Sequence, residues 1–211
     1  MYKVELIYSF TKHLLDEIFP PICLCCQEKG ASQWFCDSCW QLLSLPNSEE
    51  RCRHCFESCE YFLCSTCRKS PVLLFPKTRV FDPSLPSSIL QVHMDEILEA
   101  LASIAFLFCN HLGWDNFDAV MEVPDERGSK STLHMAKLLA HLLGVPYVKG
   151  LKRVHTGFLK ADLAALTTEG ARGKNILLFD AASTTFWLKK ATDCLSELLP
   201  KRAKVITIFG R

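Results

Sequence analysis

No apolar stretch in this chain is long enough to span a membrane. The longest candidate, Ile97–Leu112, is interrupted by Glu99, Asn110 and His111, whereas a spanning helix needs about 20 apolar residues. The opening MYKVELIYSFTKHLLDEIFPP lacks an uninterrupted apolar core and a small-residue cleavage site, so it is not read as a signal peptide. It reads as an amphipathic helix over residues 1–19, stopped by Pro20 and Pro21. A cytoplasmic location is expected. A strong charge of one sign is missing too, because the 211 residues carry a net charge of +1. That balance argues neither for nor against a nucleic-acid partner. The chain is not short of apolar residues either: 49% hydrophobic and 22% charged exclude a disordered polymer. One ordinary domain and a small module fit the length.

The charge is unevenly spread. Residues 81–148 hold 3 Lys and Arg against 9 Asp and Glu, while residues 149–211 hold 12 against 5. The basic third suits an anionic ligand or a nucleic-acid backbone, or it neutralises the acidic middle within one fold.

Cysteine is what the chain has in plenty. There are 12, and 10 of them lie between Cys23 and Cys67. Cys23 and Cys26, Cys36 and Cys39, Cys52 and Cys55, and Cys64 and Cys67 share one C-x-x-C spacing. The first two pairs are nine residues apart and the last two eight, which makes a near-duplication. Such a pair sets two thiolates at adjacent corners of a tetrahedron, and two pairs complete a four-thiolate site. A disulfide framework needs an oxidising compartment, and no export signal is visible. A redox dithiol needs one pair in a thioredoxin-like setting, which is absent. Two structural zinc sites are therefore expected. Short loops favour sequential pairing, and a crossed pairing stays open. Cys25 and Cys59 are spare, and His54 is a substitute ligand. Four thiolates leave no open coordination position, so the role is folding and not catalysis. Trp34, Phe35, Trp40, Phe56, Tyr61 and Phe62 interleave these cysteines. They suit a small core, or stacking on single-stranded bases.

Beyond Cys67, Pro71, Pro76, Pro83 and Pro86 punctuate what reads as a linker of irregular extended chain. Then helix and strand alternate. The pattern predicts a helix over about 94–111, a strand at 117–124, and a helix over 129–144 with Leu133, Ala136, Ala140 and Leu143 on one face. A short strand at 145–149, the buried strand KNILLFD, the helix TTFWLKKATDCLSELLP ended by Pro200, and a strand at 203–209 follow. This is an α/β fold with a mostly parallel sheet covered on both faces. Ligands in such sheets sit at the carboxyl ends of strands. Asp180 ends one there, and Ser183, Thr184 and Thr185 offer hydroxyls to a phosphate at the following helix start. A plain helix cap, with Ser183 or Thr184 capping and Asp180 closing the strand, explains the same residues. No general base or nucleophile stands out. His134, His141 and His155 are isolated, and the first two read as helix-surface residues.

The order IFPPICLCC, paired cysteines, EVPDERG, helix, ILLFDAASTT, helix and strand resembles the ComF/GntX family of competence proteins over nearly the whole chain. The resemblance implies a double zinc-ribbon module over residues 20–70 and a type I phosphoribosyltransferase-like domain over 71–211. It implies phosphoribosyl pyrophosphate with magnesium as ligand, and DNA uptake in natural transformation as the process. Single-stranded DNA or DNA-uptake proteins would be partners. The family's loop is similar to V-D-D-V-V-T-T-G-A-T. Asp180, Thr184 and Thr185 match it, while Ala181 replaces the second acid, Phe186 the glycine and Leu188 the last threonine. Arg127 and Gly128 match the start of the family's R-G-F-N-Q, which puts Arg127 on the pyrophosphate side. Paired acids hold the ribose hydroxyls, and glycine permits positive φ and close backbone approach. With both replaced, the expectation is a weakly active or non-catalytic protein of this fold. An active phosphoribosyltransferase and a protein-binding scaffold are the alternatives.

Overall fold

The computed structural model describes residues 22–23, 28–29, 36–38, 48–71, 73–81, 95–114, 116–126, 128, 130–155, 161–166 and 170–209. The expected N-terminal helix, and Cys25, Cys26, Trp34, Phe35, Cys39, Trp40 and Arg127, lie outside the described residues. The chain divides into two compact units. One is Met1–Ser44 with Ser84–Val92; the other is Leu45–Pro83 with His93–Arg211.

The second unit is built on a parallel sheet. Its strands are β1 (Lys77–Phe81), β2 (Ala119–Glu122), β5 (Asn175–Asp180) and β6 (Arg202–Phe209), in the spatial order β1-β6-β5-β2. Every pairing is parallel, and Asp180 lies in register with Thr207. The helices are α1 (Ser65–Lys69), α2 (Asp95–His111), α3 (Ser131–Leu143) and α4 (Thr185–Glu197). Strand residues alternate between faces. Met121, Ile176, Leu178 and Val205 share one buried face with Trp187, Leu188, Ala191 and Leu195 of α4. The other face carries α2 and α3. Each large apolar side chain buried this way contributes about 1.5–3 kcal/mol. A separate antiparallel hairpin, β3 (Leu151–His155) with β4 (Ala161–Ala165), packs beside α4.

The structure corrects several expectations. Residues 77–81 are not linker but an edge strand. The polar run Lys77, Thr78 and Arg79 hid it, yet all five of its residues are buried. Residues 145–149 form no strand; Pro146 cannot donate to a ladder, and only Tyr147 bridges to Val120. Residues 151–155 and 161–165, for which no element was expected, pair as the hairpin. The 129–144 helix runs Ser131–Leu143, and Gly144 closes it at φ 69, donating to Ala140 and His141. Its buried face is Met135, Ala136, Leu139 and Ala140, with Leu133 and Leu143 half-buried. His134 is half-buried rather than on the surface, whereas His141 is exposed. Among the described residues, no helix is long and apolar enough to cross a membrane.

Candidate functional site

The first candidate is the sulfur cluster of the second cysteine half. Arg51 and Ser58 bridge as an antiparallel turn, and Cys52 N–H donates to the Glu57 carbonyl at 2.9 Å. That turn presents Cys52 and Cys55. Cys64 caps α1, its sulfur accepting from Cys67 N–H at 3.4 Å. The four sulfurs of Cys52, Cys55, Cys64 and Cys67 lie within 4.8 Å of one another, with Cys55 and Cys64 at 3.7 Å. Burial opposes charge at Cys52, but the N–H groups of Cys55, Cys64 and His54 outweigh it and bring the thiol down to about 6. Burial pushes Cys67 up to about 11 and raises Cys55 as well. An all-thiol set at this spacing can hold one metal ion.

The turn is fastened to the sheet by residues that spacing did not reveal. Phe56 follows Cys55 at φ 65, a conformation that favours glycine. Its ring is buried and meets Phe108 of α2 edge-on at 6.4 Å. Glu57 accepts from Arg79 at 3.0 Å, and Arg79 is 3% exposed. Lys77 N–H donates to the His54 carbonyl at 2.7 Å. Phe56 therefore belongs to a core, while Tyr61 and Phe62 stand 65% and 70% exposed. Arg53 lies 4.3 Å over Phe62, and Arg68 lies 4.8 Å over Tyr61.

The first cysteine half repeats the same local bonds. Ile22 bridges Lys29, and Cys23 N–H donates to the Glu28 carbonyl at 2.8 Å. Cys36 N–H donates to Cys23 Sγ at 3.3 Å, as Cys64 N–H does to Cys52. Helical residues follow Cys36 as α1 follows Cys64.

The second candidate is the turn after β5. Asp180 ends the strand and is 1% exposed. Its carboxylate accepts Ser183 N–H at 3.0 Å and the Ser183 hydroxyl at 2.5 Å. Burial pushes this carboxyl up to about 6; Ser183 and Lys77 hold it down in part, and Asp125 pushes it further up. Thr184 caps α4, its hydroxyl accepting Trp187 N–H at 3.2 Å. Trp187 Nε1 donates to the Pro124 carbonyl at 2.8 Å, which ties the turn to the segment after β2. Ala181 is buried, so an acid there would have to be desolvated. Thr185 and Phe186 open the helix and are exposed. Phe186 needs no positive φ, because the chain there is already helical. Lys190 sits 4.9 Å over its ring and 2.8 Å from Asp162. On the far side of the segment, Gly128 at φ 85 has Arg153 Nη1 2.6 Å from where a Cβ would stand.

The structure thus brings Asp180, Ser183 and Thr184 together and clusters Cys52, Cys55, Cys64 and Cys67. It places Cys23 and Cys36 in one local bond pattern. Arg153, beside Gly128, escaped the sequence reading, since an isolated charge at a hairpin position carries no motif.

No family model matches the chain, and no curated protein matches it. Among solved structures, the chain is similar to the purine phosphoribosyltransferase from Pyrococcus horikoshii, at 13% identity and a TM-score of 0.42, over 64% of this chain and 88% of that one. It is similar to an allosteric regulatory enzyme of purine biosynthesis at 19% identity and a TM-score of 0.42, over 53% of this chain. The matched part spans 26% of that enzyme's chain. It is also similar to the hypoxanthine-guanine phosphoribosyl transferase of L. donovani at 14% identity and a TM-score of 0.39, over 54% and 71% of the two chains. Likenesses this partial assign neither family nor function; what stands is an α/β unit with a mostly parallel sheet and a four-cysteine cluster.

Proposed function

We propose that this is a ComF/GntX-like protein of phosphoribosyltransferase-like fold without transferase activity, in which the phosphoribosyl loop has become a helix cap. The observation that carries this reading is Asp180. A ribose anchor must present its carboxylate to the ligand. Here the carboxylate is buried and both its oxygens accept from Ser183. Thr184, the second matching residue, already uses its hydroxyl on Trp187. The neighbouring acid is replaced by a buried alanine. These residues do not fit magnesium and phosphoribosyl pyrophosphate as they stand, and losing a single charged hydrogen bond costs about 1.5–3 kcal/mol.

Zinc is the ion the sulfur cluster suits. A Zn–S bond of about 2.3 Å sets tetrahedral sulfurs roughly 3.8 Å apart, close to the 3.7 Å between Cys55 and Cys64. The repeated bonds around Cys23 and Cys36 support a second site completed by Cys26 and Cys39. In line with the family resemblance, the partner is single-stranded DNA handled during uptake. Exposed Tyr61 and Phe62, each under an arginine, support this, since aromatic stacking with cations suits bases of any sequence.

The test is calorimetric titration of the zinc-loaded protein with phosphoribosyl pyrophosphate and magnesium. No binding at millimolar ligand is expected. Saturable binding abolished by Asp180→Ala would replace the reading with an active transferase. Binding of single-stranded DNA should weaken as salt rises and in a Tyr61→Ala/Phe62→Ala variant; salt-insensitive or absent binding removes the DNA part and leaves a protein-binding scaffold.

A further inference from the structure

Strand β1 lies at one margin of the sheet, with β6 as its neighbour. All five of its residues are buried, and two of them, Lys77 and Arg79, are cations. A buried charge is tolerated only where something balances it. For Arg79 the balance comes from outside the sheet. Its Nη2 donates to Glu57 Oε1 at 3.0 Å, and its Nε has no acceptor among the described residues. Glu57 belongs to the turn that presents Cys52 and Cys55, where Cys52 N–H donates to the Glu57 carbonyl at 2.9 Å. The same turn supplies the His54 carbonyl that accepts Lys77 N–H at 2.7 Å. Two bonds therefore run from the cysteine turn to β1, one to a side chain and one to the backbone. The ties of β1 that bypass the cysteines include its ladder to β6 and the stacking of Phe81 on Phe209 at 5.6 Å.

The turn needs its sulfur ligation to keep this shape. Phe56, next to Glu57, sits at φ 65, a conformation that a bulky side chain holds only when its surroundings impose it. The Glu57 side chain is 61% exposed, so water competes for it once the turn relaxes. Ligation through Cys52 and Cys55 fixes the turn from inside, and Cys64 and Cys67 close the site. We infer that the cluster is a metal-operated latch on β1. With metal bound, Glu57 is held against Arg79 and β1 stays on the sheet. With metal removed, Arg79 is left as an unbalanced buried charge, and β1 leaves while β2, β5 and β6 stay paired. β6 then becomes the margin of the sheet, with a row of backbone groups open to pairing. The inference rests on the zinc reading of the cluster and goes beyond it, because a metal that only folded its own loops would leave the sheet unchanged.

The test is amide hydrogen exchange of the full chain, read by mass spectrometry with and without chelator, with zinc content measured on the same samples. On chelation the β1 amides should exchange about a hundredfold faster, while those of β5 hold their protection. In the zinc-loaded protein, Glu57→Gln should speed β1 exchange by about tenfold at unchanged zinc content. Its side chain is exposed, so this variant is not expected to misfold. Arg79→Met removes the charge that needs balancing and should shrink the difference between zinc and chelator. Unchanged β1 exchange after zinc has left would overturn the latch and leave the metal site standing. Equal loss of protection in β1 and β5 would overturn it too, since the metal would then support the whole unit. So would a Glu57→Gln protein whose β1 exchanges like the wild type. A chain that takes up no zinc removes both the latch and the zinc reading.

Discussion

The four-cysteine cluster and the turn after β5 each preserve part of a recognisable motif, and their fates differ. At the cluster, all four sulfurs converge within 4.8 Å, and backbone N–H groups point at them. At the turn, Asp180 and Thr184, two of the matching residues, are engaged by neighbours in the same turn and helix. Ser183 satisfies Asp180, and Thr184 satisfies the helix. The lesson is that a conserved-looking side chain counts for function only if its polar atoms remain unspent. A thiol cluster gains little from internal bonding, because sulfur is a weak acceptor; it stays available to metal. A carboxylate beside a serine is readily absorbed into a capping turn.

Metal removal should break the comparison most severely. Chelation should melt the 51–69 segment and cost the unit several kcal/mol, because a small loop-rich segment draws its folding energy from the metal. A calorimetric melt in zinc and in chelator checks this, and equal melting temperatures would contradict it. Phosphoribosyl pyrophosphate with magnesium should leave the zinc-loaded melt unchanged.

The next effect is pH. Asp180 has its folded pKa raised to about 6 by burial. The folded state therefore holds the proton more tightly than the unfolded chain, and stability falls as pH rises from about 4 to 6, then levels off. The loss is at most about 3 kcal/mol. Asp180→Asn should flatten that slope in denaturant melts at several pH values. A variant with the wild-type slope would place the titration elsewhere.

Ser183→Ala comes third. It leaves a buried carboxylate short of donors and should cost about 1–3 kcal/mol, measurable by urea unfolding. Phe186→Gly comes last. The side chain is 66% exposed, so the change costs at most about 1 kcal/mol of helix propensity. It should not create ligand binding, although it supplies the glycine of the loop that this turn resembles. Gained affinity in this variant would show that the glycine alone had been missing.

The cysteine cluster was legible because C-x-x-C spacing is a local constraint that does not depend on the rest of the fold. Its fastening was not legible. Phe56 at positive φ, and Glu57 paired with Arg79, depend on what lies across from them. The same holds for β1. The stretch between Pro71 and Pro86 read as linker, yet Arg79 within it is buried against a partner 22 positions away. The helices α2, α3 and α4 and strands β2, β5 and β6 followed from periodicity, with ends displaced by a few residues. Asp180 was named by its place at the end of a strand. That its carboxylate faces inward follows from the geometry of Ala181–Ser183, and a sequence that fits both a phosphate loop and a cap cannot choose between them.

The most direct measurement is the titration of Asp180 itself, followed through its carboxyl carbon by NMR with and without magnesium and phosphoribosyl pyrophosphate. A buried capping carboxylate should titrate near pH 6 and ignore the ligand. A value in the ordinary carboxylate range that moves when the ligand is added would show an exposed, ligand-facing acid and contradict the account.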